Sequence, residues 1–197
     1  MDGRFGDMSI ILIGYRCTGK TSVGRIISQR LSLPFYDTDE LISKKTGRTV
    51  REIVEEKGWG FFRGMEKEII RSLTSARGVI APGGGAVMDE ENAGRMKASG
   101  LIIWLKAEPA AILERLKKDE TTSRQRPPLS EDLDAEEEIL EVLRERNPVY
   151  ERLADIIVDT TRLSMEDAAA RICSVISAME AVKSREIHMK GPHECES

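Results

Sequence analysis

Cysteine is scarce in this chain: Cys17, Cys173 and Cys195 are its three copies in 197 residues, far apart and in no C-x-x-C pair. A disulfide scaffold, a zinc knuckle and a redox dithiol are therefore not written into it. An excess of charge of one sign is also missing. Lys plus Arg number 30 against 34 Asp plus Glu, a net charge of −4, so there is no broad basic footprint for nucleic acid or an anionic bilayer. No apolar run approaches the ~20 residues that cross a membrane. Residues Met1 to Asp7 lack a basic stretch leading into an apolar one. These absences lead to the expectation of a reduced, cytoplasmic, monomeric protein whose partners are small molecules, with no nucleic acid and no membrane. What is present is 40% hydrophobic content, enough at this length for the core of one domain. That domain is expected over residues 1–182, followed by a polar, disordered tail over 183–197. The chain contains no internal repeat.

Ser9-Ile-Ile-Leu-Ile13 is short, apolar and β-branched, the pattern of a strand buried on both faces. Val23, Ile26, Ile27 and Leu31 follow with helical spacing, and Pro34 ends that helix. Phe35-Tyr36 reads as a brief strand leading into Asp37-Thr38-Asp39. Thr49 and Glu52 form a capping-box pattern for a helix ending near Gly58, and a further helix is read from Phe62 to Leu73 with Phe62, Met65, Ile69 and Leu73 on its inner face. Gly78–Ala81, Leu101–Leu105 and Asp155–Val158 supply three more strands. Helical patterns lie between them, and the last helix has Ser164 as N-cap and Ile172, Val175, Ile176 and Met179 inward. The β-α alternation predicts an α/β, three-layer fold with a central five-stranded parallel sheet. The polar stretch from Asp119 to Asp134 has no periodicity and reads as a lid-like loop.

Gly14-Tyr15-Arg16-Cys17-Thr18-Gly19-Lys20-Thr21 satisfies G-x-x-x-x-G-K-[ST] in full, between a strand and a helix. Backbone amides from Gly14 through Ser22 would cradle phosphates, Lys20 would reach the β- and γ-phosphates, and the Thr21 hydroxyl would hold Mg²⁺. Cys17 is read as a small loop filler rather than a redox element. Phosphate loops also serve GTPases and motors. The guanine-reading [NT]-K-x-D pattern is absent, and the chain is too short for mechanical coupling elements, which favours a small-molecule kinase.

Taken in order, Gly14–Thr21, Asp37-Thr-Asp39, Phe62-Arg63, Gly83-Gly-Gly85, Arg126-Pro127 and Arg146-x-Pro148-x-Tyr150 resemble shikimate kinase over roughly Ser9 to Met179. The resemblance implies a nucleoside-monophosphate-kinase-like core, a substrate-binding insertion about residues 40–66 and a lid about 119–132. It implies Mg²⁺ and ATP, with transfer of the γ-phosphate to the 3-hydroxyl of shikimate, giving shikimate 3-phosphate and ADP on the way to chorismate. Carried over by position, Asp39 would bind the accepting hydroxyl and Asp37 would help hold Mg²⁺; two carboxylates one residue apart at a strand end would face the same crevice. Arg63 and Arg146 would bind the substrate carboxylate, with Glu66 fixing the rotamer of Arg63. Gly83, Gly84 and Gly85 would turn backbone N–H groups toward the substrate. Arg126, with Arg124 as competitor, would neutralise phosphate charge from the lid, and Arg115 would lie beside adenine. Pro128 stands where the family commonly continues Arg-Pro-Leu. The strand Gly78–Ala81 is followed by no metal-holding carboxylate, which places more weight on Asp37. The competing readings are a gluconate kinase-like enzyme and a nucleotide-binding module without turnover.

Overall fold

The computed structural model describes residues 8–73, 75–119, 127 and 133–189, the last seven by backbone alone. Its centre is β1 (Ser9–Ile13), buried along its whole length because the sheet is covered on both faces. Alternation along this strand sends Ile10 and Leu12 to one face and Ile11 and Ile13 to the other. Ile10 and Leu12 pack with Val23 and Ile27 of α1 (Lys20–Leu31) and with Ala168, Ile172 and Ile176 of the last helix. Ile11 and Ile13 meet Ile70, Leu73, Met96 and Tyr150 from the opposite layer. Ile11 and Ile27 are fully enclosed, and each such side chain contributes about 1.5–3 kcal/mol of transfer free energy.

After α1 come β2 (Phe35–Asp37), α2 (Thr38–Thr46), α3 (Val50–Leu73), β3 (Val79–Ala81), α4 (Glu90–Ser99) and β4 (Gly100–Lys106). The chain then forms α5 (Pro109–Lys118), α6 (Ala135–Leu153), β5 (Ile156–Asp159) and α7 (Met165–Met189). The five strands are all parallel in the order β2-β3-β1-β4-β5. From β1 the chain goes to β2, returns to β3 beside β1 and then crosses to β4 on its far side, so the strand order reverses at β1 and a crevice opens at its carboxyl end, the switch point where α/β sheets bind ligands.

Several local expectations shift. Asp37 ends β2 and caps α2, accepting from the amides of Asp39 and Glu40 at 3.0 and 3.3 Å. Asp39 therefore lies in the first helical turn, and strand alternation does not place it beside Asp37. The Thr49–Glu52 capping box is present, with the Thr49 amide donating to Glu52 Oε2 at 2.7 Å and the Glu52 amide to Thr49 Oγ1 at 3.2 Å. Helix α3 breaks at Gly58, where φ is 79°, and resumes at once rather than at Phe62. In its second half the buried positions are Phe62, Glu66, Ile70 and Leu73, so a carboxylate occupies the inner face and Met65 and Ile69 lie at its margin. Ser164 caps α7 through the Asp167 amide at 3.1 Å, but the helix runs on to Met189, past the point where the chain turns polar.

Candidate active site

The phosphate loop is shaped by its glycines and one strained residue. Gly14 has φ 140°, and a Cβ there would come within 2.5 Å of the Leu105 carbonyl oxygen; Gly19 has φ 97°. Cys17 takes the left-handed conformation, φ 61°, without a glycine's freedom. Lys20 is almost buried, and its ammonium donates to the Gly14 and Tyr15 carbonyls at 2.9 and 2.8 Å, which holds it at the mouth of the loop. Thr18 Oγ1 donates to Tyr15 O at 2.8 Å.

Thr21 Oγ1 donates to Asp37 Oδ2 at 2.7 Å, while Asp37 Oδ1 caps α2. One carboxylate thus serves the fold with one oxygen and the loop with the other. A hydroxyl and a carboxylate oxygen this close form a hard oxygen pair that suits Mg²⁺. Among the described residues no cluster of three or more His, Cys, Asp or Glu could hold a metal unaided. The pair therefore suits a cation held mainly by the phosphates it accompanies.

A broad cleft runs from this loop, lined by Gly19, Lys20, Thr21, Asp37, Arg115 and Met165. Arg115 is built into its wall: Nη1 donates to Cys17 O at 3.3 Å and Nη2 to Thr161 O at 3.4 Å. It ties the phosphate loop to the turn after β5; no contact here bears on the adenine role inferred for it.

A second, narrower pocket opens beside the loop, lined by Asp39, Trp59, Arg63, the triple glycine, Pro127 and Arg146. Glu66 lies at its base, completely buried, and Arg63 Nη1 donates to Glu66 Oε2 at 2.5 Å. Burial pushes the Glu66 carboxyl above its ordinary range, against the opposing pull of the Arg63 and Arg146 charges. Two guanidinium groups around one carboxyl leave at least one positive charge uncompensated at this end of the pocket. The Arg63 guanidinium also lies over the Trp59 and Phe62 rings, 5.4 and 5.3 Å from their centroids.

The triple glycine is needed chiefly for space. A Cβ on Gly83 would fall 2.3 Å from Glu66 Oε1 and 3.2 Å from Asp39 Oδ1, and one on Gly85 would fall 2.4 Å from Arg63 Nη2. The Gly83 N–H donates to Thr38 Oγ1 at 3.0 Å. Tyr150, wholly buried, donates its hydroxyl to Gly84 O at 2.5 Å and pins the turn. Burial raises this phenol to about 12, so it stays protonated as a donor.

The structure thus brings together Lys20, Thr21, Asp37, Asp39, Arg63, the three glycines and Arg146, with Arg144 left exposed outside. Arg124, Arg126 and Pro128 lie outside the described residues. Trp59, Thr38 and Glu138, whose carboxylate receives Tyr15 and Arg16, carry no role in the sequence reading. Trp59 has a legible signal, an aromatic just ahead of Phe61-Phe62-Arg63; Thr38 and Glu138 have none.

The family model for shikimate kinase matches residues 16–177, most of the chain. This chain belongs to the shikimate kinase family. Its similarity to the shikimate kinase of Syntrophus aciditrophicus is 43% identity over 174 residues, 84% of this chain and 89% of that one. The shikimate kinase of Thermodesulfovibrio yellowstonii is 44% identical over 165 residues, 83% and 92% of the two chains. Among solved structures, shikimate kinase from Acinetobacter baumannii in complex with shikimate superposes with a TM-score of 0.81 at 30% identity, covering 88% of this chain and 94% of that one. A gluconokinase from Sinorhizobium meliloti reaches 0.55 at 12% identity and shares the fold alone. As a member of the shikimate kinase family the chain is an ATP-dependent phosphotransferase of aromatic amino-acid biosynthesis. Among its described residues no helix is long and apolar enough to cross a membrane.

Proposed function

We propose that the two pockets divide the reaction between them, ATP with Mg²⁺ occupying the cleft and shikimate the narrower pocket. The γ-phosphoryl group passes to the 3-hydroxyl of shikimate. The bond from Pγ to the bridging oxygen breaks, and its electron pair leaves with ADP. The hydroxyl oxygen forms the new bond to phosphorus, and its proton goes to Asp39 before reaching solvent.

The observation that carries this reading is the composition of the narrower pocket. Arg63 and Arg146 converge on its base with a net positive charge, suited to one carboxylate, and Asp39 stands where that pocket meets the cleft. An acceptor with a carboxylate at one end and a hydroxyl at the other fits this polarity. The guanidinium fork pairs a carboxylate bidentately, which an ammonium cannot do. The segment 40–66, formed by α2 and the first part of α3, frames the pocket and acts as the substrate-binding unit.

Thr21 and Asp37 would hold Mg²⁺, which when bound supplies charge neutralisation at the phosphates. Lys20, beside the loop carbonyls, offers its charge to the same phosphates. By the family resemblance Arg126 would add positive charge at the phosphates, and Arg115 would lie beside the adenine. Product analysis by phosphorus NMR and mass spectrometry tests the reading. Shikimate should gain one phosphoryl group on its 3-oxygen with one ADP formed; phosphorylation at another oxygen, or ADP without a phosphorylated acceptor, would refute it.

A further inference from the structure

A buried ion pair in the floor of the phosphate loop has no part in the chemistry described so far. The Arg16 Nε–H donates to Tyr15 Oη at 3.1 Å, and its Nη2 donates to Glu138 Oε1 of α6. The Tyr15 hydroxyl donates to that same carboxylate oxygen at 3.1 Å. Tyr15 and Glu138 are 1% and 2% exposed, and the Arg16 side chain 11%. Burial lifts the Tyr15 phenol to about 12, so its one proton stays to serve Glu138 while its lone pair receives Arg16.

A buried ion pair stabilises a fold poorly, because desolvation offsets much of its attraction. It is, however, an effective way to fix a guanidinium in direction. The direction matters here because, among the described residues, three residues line both the cleft and the narrower pocket: Asp39, Val50 and Arg16. Where the two spaces meet is where the phosphoryl group must cross. At that seam Asp39 is the anion, facing the attacking hydroxyl, and Arg16 is the cation.

We propose that Arg16 is a catalytic residue whose guanidinium contacts the phosphoryl oxygens during transfer, with Tyr15 and Glu138 as the positioning residues that hold it. The proposal rests on the division of the two pockets given above. No bond to Arg16 forms or breaks. Its donors stabilise the charge spread over the equatorial oxygens while the Pγ–O bond to ADP opens and the bond to the acceptor oxygen closes. Because the triad is assembled before substrate arrives, the donors need no reorganisation at the transition state.

The test uses the full chain as the parent, Arg16→Met, Arg16→Lys and Glu138→Gln. ADP release gives kcat and the KM for shikimate and ATP, and calorimetry gives nucleotide affinity without any acceptor. Arg16→Met should lose roughly 100-fold in kcat, the scale of removing one transition-state donor, with both KM values and ATP affinity within about threefold of the parent. Arg16→Lys should regain part of the loss, and Glu138→Gln should lower kcat by about tenfold at similar KM, because the guanidinium is less tightly aimed. Parental kcat in Arg16→Met, or a loss carried by KM or ATP affinity, overturns the assignment. Should Arg16→Met fail to fold, Arg16→Lys decides: reduced kcat at parental KM supports the assignment and parental kcat overturns it. Failure of the parent itself to phosphorylate shikimate would overturn the pocket division and this proposal together, whereas an indifferent variant overturns this proposal alone.

Discussion

Replacing Arg63 with Ala should produce two losses that can be separated, one of activity and one of stability. Glu66 has no solvent exposure and receives Arg63 at 2.5 Å. Breaking a fully buried pair by removing one partner costs about 3–5 kcal/mol. The Arg63 side chain is 35% exposed, so water screens the pair and the expected destabilisation is smaller, roughly 1–3 kcal/mol. Much of that is the cost of a buried carboxyl without its counter-charge, and Glu66→Gln removes it. The double variant Arg63→Ala with Glu66→Gln should therefore recover most of the lost stability in urea unfolding. Activity should not return with it. A substrate carboxylate deprived of its fork loses about 2–5 kcal/mol, or roughly 30-fold to several thousand-fold in kcat/KM for shikimate. Nucleotide affinity by calorimetry should change little in either variant, and Arg63→Lys should restore part of kcat/KM. A double variant that regains shikimate turnover along with stability would show that Arg63 serves only to neutralise Glu66, and the carboxylate-binding role would be wrong.

Four further outcomes follow from the same geometry. Lys20→Ala should cut kcat by at least about 100-fold in the ADP-release assay, since charge at the γ-phosphate is left uncompensated, and near-parental turnover would contradict the role of the loop. Asp39→Asn keeps shape but removes a charged acceptor for the hydroxyl proton, so kcat should fall while the unfolding midpoint stays; an unchanged kcat beside an inactive Asp37→Asn would reverse the two roles. Cys17→Val should destabilise by about 1–3 kcal/mol because a β-branched residue resists φ 61°, whereas Cys17→Gly should cost nothing beyond the entropy of its unfolded chain. Glu66 holds its proton to higher pH in the folded chain than in the unfolded one, so ionising it opposes folding. Its contribution is fully present below the ordinary glutamate range and is lost as pH rises toward the raised folded value; relative to the parent, Glu66→Gln should gain stability as pH rises above the ordinary glutamate range in urea titrations.

The parts of this molecule that were legible in the sequence are those set by local pattern. The apolar run Ser9–Ile13, the phosphate loop after it and the helical spacing of Val23 and Ile27 needed no tertiary knowledge, because a doubly covered strand and an amphipathic helix each impose their own period. Arg63 and Arg146 were legible as motif members, and Glu66 as the partner of Arg63, but the burial of that carboxyl between two guanidinium groups was not. Its place on the inner face of α3 depends on packing and on a guanidinium eighty residues on, neither of which a local pattern shows. The pairing of Asp37 and Asp39 was read from strand alternation, yet it arises from the cap of a helix, Thr38–Thr46, that the sequence pattern did not reveal. Glu138 was out of reach altogether, since its partners lie more than a hundred residues earlier in the chain and no local signal marks a carboxylate that will be buried.

The central claim is that the narrower pocket receives shikimate and that its arginines recognise the carboxylate. Steady-state ADP release by the parent protein with Mg-ATP, compared among shikimate, gluconate and no acceptor, addresses it most directly. Shikimate should raise the rate far above both other conditions, and its carboxamide analogue, with the charge removed, should lose most of that stimulation through kcat/KM. A rate stimulated equally by gluconate, or as strongly by the carboxamide as by shikimate, would contradict the account.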